Sequence, residues 1–478
     1  MRRHSSTSVR ACVLGLVIVA CQVFLPETSW GQKKPKESAG QKHVFSGPAP
    51  AHPFDIVLAR PTAKSITASV MVARESQGYI AYGAEKGQLA SKSQIMKLPA
   101  GTPVEFLVKD LVPDTGYHYR LHYRESVAPD YVTSGEFSFH TQRKSGSHFV
   151  FTIQADSHLD QGTRPAVYER TLANALADGT DSHLDLGDTF MTDKYPNYAD
   201  SLPQYIAQRY YLGLAGCSAP VFLVAGNHDG ERLDRYNGTP NCMPVWAALT
   251  RRKYFPPPVP NSFYSGSTAE VKYAGRPENY FAFEWGDAQL IALDPFWTTA
   301  RKGKVANEGN WSRTLGQAQY QWLAKTLAAS KARYKFVFIH HLVGGLDESA
   351  RGGSEAAVLY EGGARAKTAR MNSKLGDPAG PCQSISFWLS IKSLPCFTDT
   401  ITFLPGRNST TLLMSWSLNR GTRGSIDCAM WMSMVTFAAI SCRRLATFVF
   451  RCQPTGQPWR MCGLTYLRWK PLSGRMGK

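Results

Sequence analysis

The stretch Val221-Phe222-Leu223-Val224-Ala225-Gly226-Asn227-His228-Asp229 constrains this chain more than any other. An apolar, β-favouring run ends in a glycine and then delivers an amide, an imidazole and a carboxylate, as a buried strand does at its carboxyl end. Three further runs end alike. Phe149 to Ala155 leads into Asp156-Ser157-His158, His183 to Gly187 into Asp188, and Tyr334 to Ile339 into His340-His341. Four strand ends carrying Asp, His, Asp, Asn, His and His predict one metal site.

Around these tips the chain changes character along its length. From about Pro48 to Gln142 it runs in short alternating segments such as Ser65 to Val72 and Glu136 to His140, separated by turn residues, which predicts a small all-β sandwich. From Ser147 strands alternate with helical stretches, as in an α/β domain. Tyr168 to Leu176 reads as helix, and Leu315 to Ser330 as an amphipathic helix with Tyr320, Leu323 and Leu327 on one face. Tyr280 to Asp294 reads as two strands joined at Gly286-Asp287. The expected organisation is a signal over 1–31, a polar linker over 32–47, the sandwich over 48–142, the α/β domain over 147–361 and an atypical tail over 362–478.

Charge bears on partners. The formal net charge of +18 raises the question of nucleic acid, but +13 of it lies in residues 362–478, which hold 16 Lys+Arg, three Asp and no Glu. The remaining 361 residues carry only +5, so no nucleic-acid binding is expected. Arg2, Arg3 and Arg10 precede an apolar run from Ala11 to Leu25 that is shorter than the ~20 residues a membrane span needs, which predicts export without a transmembrane span. The chain is therefore expected to be secreted, periplasmic or at the cell surface. Ile18-Val19-Ala20-Cys21 also resembles a lipobox, leaving a lipid anchor at Cys21 open. Cys217 and Cys242 are the sole cysteines between residues 22 and 381, and a disulfide between them fits an oxidising compartment.

Carboxylate, amide and imidazole are ligands for hard or borderline cations, and two ions ~3.5–4 Å apart can clamp the attacking and leaving oxygens of a phosphate ester. Asp156 and His158 stand at i, i+2, which puts both on one face of an extended segment. Asp188 could bridge two ions through its two oxygens. Asn227 offers a neutral amide oxygen, so His228 beside it can stay outside the metal shell. Each element alone is common; Gly-Asn-His-Asp after an apolar strand is the most specific of them.

In this order the motifs resemble those of the calcineurin-like metallophosphoesterase superfamily. Asp110-Leu111-Val112-Pro113-Asp114-Thr115-Gly116-Tyr117-His118-Tyr119-Arg120 resembles the tyrosine-corner segment of fibronectin type III domains, and such a domain in front of a phosphoesterase resembles the purple acid phosphatase branch. The resemblance covers about residues 48 to 361 and implies two β-sheets flanked by helices. It implies that Asp156 and His158 bind one metal ion, Asp188 bridges, and Asn227 and His340 bind a second, with His341 as the alternative to His340. His228 would contact the substrate phosphate and act as general acid, oriented by Asp229, and a metal-bound water or hydroxide would be the nucleophile. The ions would be Fe, Mn or Zn and the substrate a phosphate mono- or diester. The purple acid phosphatases place a tyrosine three residues after the bridging Asp; here that residue is Met191, which argues against an iron-tyrosinate centre.

The family's final Gly-His-x-His is absent. No histidine follows His341, and the tail holds six of the ten Cys and five of the eleven Trp. Codons starting on the third base of those for Phe397 to Thr402 permit His-Gly-His-Asp-His. The tail therefore reads as the product of a frameshift near Glu361 to Gly363, and is expected to be irregular. A non-catalytic surface-binding protein, with a degenerate phosphoesterase scaffold and a basic appendage, is the alternative.

Overall fold

The computed structural model describes residues 45–298 and 315–340, and the backbone of three later strands at 397–405, 410–414 and 448–452. The signal and most of the linker, Cys21, His341 and the rest of the tail lie outside the described residues. Strands β1 (Phe54–Ala59), β2 (Ser65–Val72), β3 (Ser76–Gly83), β4 (Ser91–Lys92), β5 (Met96–Leu98), β6 (Val104–Lys109), β7 (Gly116–Glu125), β8 (Val132–Thr133) and β9 (Phe137–His140) form two antiparallel sheets. β2 lies between β1 and β6 in one sheet; β3 and β7 are the centre of the other. Their inner faces share a core that includes Ile56, Leu58, Ile66, Val70, Ile80, Phe106, Tyr119 and Leu121. β6 alternates as a half-covered strand should, with Phe106 and Val108 inside and Glu105 and Lys109 outside. β1 and β2 are buried on both faces, because Val57 and Met71 on the far side belong to a second core with helical residues Tyr205 and Leu212.

The α/β part begins with β10 (Phe149–Gln154), α1 (Pro165–Ala177), β11 (Ser182–Asp185), α2 (Tyr198–Gly216), β12 (Val221–Leu223) and α3 (Met243–Tyr254). It continues through β13 (Ser265–Gly266), β14 (Phe281–Trp285), β15 (Ala288–Ala292), α4 (Gly316–Ala329) and β16 (Tyr334–Phe338). β10, β11 and β12 are parallel neighbours, and β13 to β16 run in sequence order through a second sheet. Phe149, Phe151, Ile153, Leu184 and Phe222 of one sheet pack on Phe281, Phe283, Leu290, Phe336 and Phe338 of the other. Each such side chain stabilises by roughly 1.5–3 kcal/mol when fully buried, which makes the two sheets one unit. α1 and α2 cover one outer face through Tyr168, Leu172, Tyr211 and Leu212, and α4 covers the other through Leu323 and Leu327. The expected phosphoesterase-type layering of two sheets flanked by helices is thus present.

Two expectations are corrected. Cys217 and Cys242 are free thiols: Cys217 ends α2 against the sandwich core, whereas Cys242 caps α3 in a separate cluster with Val245, Ala248 and Trp297. The tail is not wholly irregular either. β17 (Phe397–Pro405) lies parallel to β16, β18 (Thr410–Met414) pairs with β17, and β19 (Phe448–Cys452) pairs antiparallel with β10. The β-branched Thr398, Thr400, Ile401 and Thr402 favour the pairing of β17 at the sheet edge left open by β16. Among the described residues no helix is long and apolar enough to cross a membrane.

Candidate metal centre

In-register parallel pairing sets the loops after β10, β11 and β12 at one end of their sheet, since Gln154 lies beside Asp185 and Asp185 beside Leu223. Backbone bonds then join these loops to one another. The Asp156 amide donates to the Gly187 carbonyl at 3.0 Å, and the His228 amide to Asp188 Oδ1 at 2.8 Å. The glycines explain why the loops come so close. A Cβ on Gly187 would stand 2.3 Å from the Gly226 nitrogen, and one on Gly226 would stand 2.1 Å from the Asp188 nitrogen. Gly187 also has φ +100°, a left-handed value that side chains avoid. Asp156 and His158 are not in an extended segment, as expected from their spacing, but in a left-handed one with φ of 57° and 51°.

Ligand atoms nevertheless converge. One ligand atom each of Asp156, His158 and Asp188 lies within 4.8 Å of the others. His158 Nε2 is 3.5 Å from Asp156 Oδ1 and 3.8 Å from Asp188 Oδ2, and His340 Nε2 reaches the same Asp188 oxygen at 3.4 Å from the second sheet. His340 Nδ1 donates to the Leu186 carbonyl at 2.9 Å, which puts the lone pair on Nε2, facing Asp188. Buried Asn227 has an Oδ1 with no hydrogen-bond partner, as does His158 at Nε2. An amide oxygen and a ring nitrogen without hydrogen bonds, on loops that also carry Asp156 and Asp188, fit a cation, because a cation that displaces the His158 proton satisfies all of them at once. Asp188 is 5% exposed and His340 3%, whereas Asp156 is 45% and His228 27%, so a ligand enters past Asp156 and His228.

The electrostatics agree. Burial alone would lower the His158 pKa, but Asp156, Asp160 and Asp188 outweigh it and hold it at about 11, so an entering cation displaces a proton there. Burial would raise Asp188, yet the nearby His340, His158 and His228 keep it well below the usual carboxylate range. Asp229 is pushed up to about 7 by burial and by Asp188, against the backbone N–H groups that it accepts.

Asp229 does not orient His228. Its Oδ1 accepts the Thr189 and Phe190 amides, each at 2.9 Å, and its Oδ2 accepts the Asp188 amide at 3.0 Å and the Gly226 amide at 2.7 Å. It folds the Asp188 loop. The partner of His228 is Asp193, whose two oxygens lie 2.9 and 3.0 Å from Nδ1, and Arg235 stands 3.8 Å from the same carboxylate. Asp193 was hidden in the stretch from Met191 to Tyr205, which has no sequence code of its own. Asp160, 3.5 Å from His158 Nδ1, was also missed; it stands two residues after His158 in the same loop.

Residues 149–366 match the family model for calcineurin-like phosphoesterases. The chain carries a calcineurin-like phosphoesterase domain. The chain is similar to a solved structure of PhoD, at 15% identity and TM-score 0.46, over 62% of this chain and 65% of that one. It is also similar to the purple acid phosphatase PPD1 from yellow lupin (Lupinus luteus) seeds, at 15% identity and TM-score 0.44, over 74% of this chain and 58% of that one. The chain thus spans less than two thirds of the length of either. The FN5 domain of Drosophila Lar matches 20% of this chain, with 97% of its own length covered, 20% identity and TM-score 0.14. No curated protein matches the chain.

Proposed function

We propose that this is an exported phosphoesterase that holds two metal ions and hydrolyses phosphate mono- or diesters, in the manner of the purple acid phosphatase-like branch. The observation that carries the reading is the convergence of Asp156, His158, Asp188, Asn227 and His340 from the ends of four strands, with Asn227 Oδ1 and His158 Nε2 buried without a hydrogen bond. Asp156 and His158 would hold one ion, Asn227 and His340 the other, and Asp188 both. Fe, Mn or Zn suits this donor set. When bound, such ions supply a nucleophile at neutral pH and offset charge on the phosphoryl oxygens.

The chain's own residues do the rest. With Nδ1 donating to Asp193, Nε2 of the partly exposed His228 is left free to bind the phosphoryl group and, when it carries a proton, to protonate the leaving oxygen. Asp229 fixes the peptide units from Asp188 to Phe190, so the bridging carboxylate keeps its place. In front, the Val112 amide donates to the Tyr117 hydroxyl at 2.9 Å, which supports a fibronectin type III-like corner in the sandwich.

The site is incomplete in this chain, because the family's last two imidazoles have no counterpart after His341. We attribute this to a frameshift. β17, whose codons permit the missing motif, lies parallel to the strand that delivers His340, which is where a ligand-bearing strand would be needed. Reading the gene between the codons for Ser354 and Arg370 tests the shift, and tail peptides in the present frame would remove it. Metal analysis and an aryl-phosphate assay on the repaired frame test the function. Bound metal and turnover that vanish in Asp188→Ala and Asn227→Ala support it; no metal and no turnover would leave the surface-binding alternative.

A further inference from the structure

α2 crosses the molecule between the two parts of the chain, and three adjacent polar side chains on it are fully buried: Gln204, Gln208 and Arg209. Burying such groups is costly unless each finds partners, and all three do. Gln208 Nε2 donates to Ser157 Oγ at 2.8 Å and to the Thr189 carbonyl at 2.6 Å, while its Oε1 accepts from the Tyr168 hydroxyl at 3.0 Å. Gln204, one turn earlier, donates to the carbonyls of His158 and Thr189 and accepts from the Tyr195 hydroxyl. Ser157, His158 and Thr189 adjoin or include the candidate ligands Asp156, His158 and Asp188. One helix face therefore grips both ligand loops from beneath.

The neighbouring face grips the sandwich. Arg209 Nε donates to Asp55 Oδ1 at 2.6 Å on β1, its Nη1 to Ser69 Oγ at 3.2 Å, and its Nη2 to the Ser69 carbonyl at 2.7 Å on β2; Nη1 also donates to the Tyr254 carbonyl that ends α3. A Cβ on Gly213 would stand 3.4 Å from the Ile56 carbonyl, so α2 and β1 approach almost backbone to backbone. We propose that Gln204 and Gln208 are positioning residues for the metal centre, and that the β-sandwich sets their place through the Asp55–Arg209 pair. The sandwich then acts as a foundation of the site, one helix removed from the ligands. The metal part of this inference rests on the phosphoesterase reading; the part about the loops does not.

The test uses the full chain in two arms. In the first, hydrogen exchange of the metal-free protein follows residues 155–160 and 187–191 in Gln208→Met, Gln204→Met, Asp55→Asn and the control Leu212→Ala, a core truncation on the same helix. The expected result is about tenfold faster exchange in both loops for the first three variants, beyond any global change, and none for Leu212→Ala. In the second, calorimetric titration with manganese chloride is expected to show affinity about 10-fold to 100-fold weaker in the same three variants and within about twofold of wild type in Leu212→Ala. Unchanged loop exchange in the glutamine variants, or equal loosening by Leu212→Ala, overturns the proposal. If Gln208→Met does not fold, Gln204→Met and Asp55→Asn decide it by the same readings. If the wild type binds no manganese, the metal reading fails while the exchange arm still decides whether α2 positions the loops.

Discussion

At the scale of single residues, a few contacts decide whether the site can work. His228 depends on Asp193 for the position of its proton, so Asp193→Asn, which keeps the shape and loses the charge, should lower kcat on the order of a hundredfold. The loss should be larger for alkyl phosphates, whose leaving oxygen needs a proton, than for nitrophenyl phosphate; equal losses would argue against the acid role. Gly226 is as exacting for another reason. An alanine there would press against the Asp188 backbone, and Gly226→Ala should cost about 2–3 kcal/mol in urea denaturation and abolish metal binding. The glycines before Asp188 and Asn227 could be read from sequence as strand-end signals. Asp193 could not, because it meets His228 across 35 residues of chain with no pattern between them.

At the scale of elements, strand patterning gave the layers and burial gave their weak points. His183 in β11 is wholly buried, bonds Thr152 Oγ1 through Nδ1 at 2.8 Å, and has its pKa pushed down by burial to about 4. A depressed folded-state value means that the unfolded chain takes up the proton first. The contribution of His183 is therefore fully present above its unfolded pKa near 6.5 and is lost as pH falls from there towards about 4, a span of about 3 kcal/mol. Unfolding free energies measured between pH 7 and 4 should fall less in His183→Phe than in wild type, by about that amount; matching slopes would show that another group titrates. α1, α4 and the hairpin at Gly286 were legible from periodicity and turn chemistry, whereas α2 and α3 begin in stretches that read only as loops. The burial of β1 and β2 on both faces was legible only as an excess of apolar residues, since nothing local says that a helix from 140 residues later covers them.

At the scale of the whole molecule, Asp55 and Arg209 join the two parts of the chain through a pair that is almost free of solvent. Asp55→Ala would strand a buried guanidinium and should cost about 3–5 kcal/mol, whereas the double change Asp55→Leu with Arg209→Met should recover most of it. Chemical denaturation of the three proteins checks this, and a double variant as weak as the single one would mean that packing, not charge, is the loss. The candidate ligands and the order of the layers were legible in local patterning. Apolar runs that end in Gly, Asp, Asn and His state both strand and tip within a few residues, and that information is local. Tertiary structure alone decided which carboxylate serves His228, that Asp229 folds a loop instead, that two cysteines stay apart, and that α2 ties the sandwich to the site. Those outcomes rest on pairs as far apart as 154 positions, and such pairs are chosen by the packing of the complete core, which no short stretch of sequence contains.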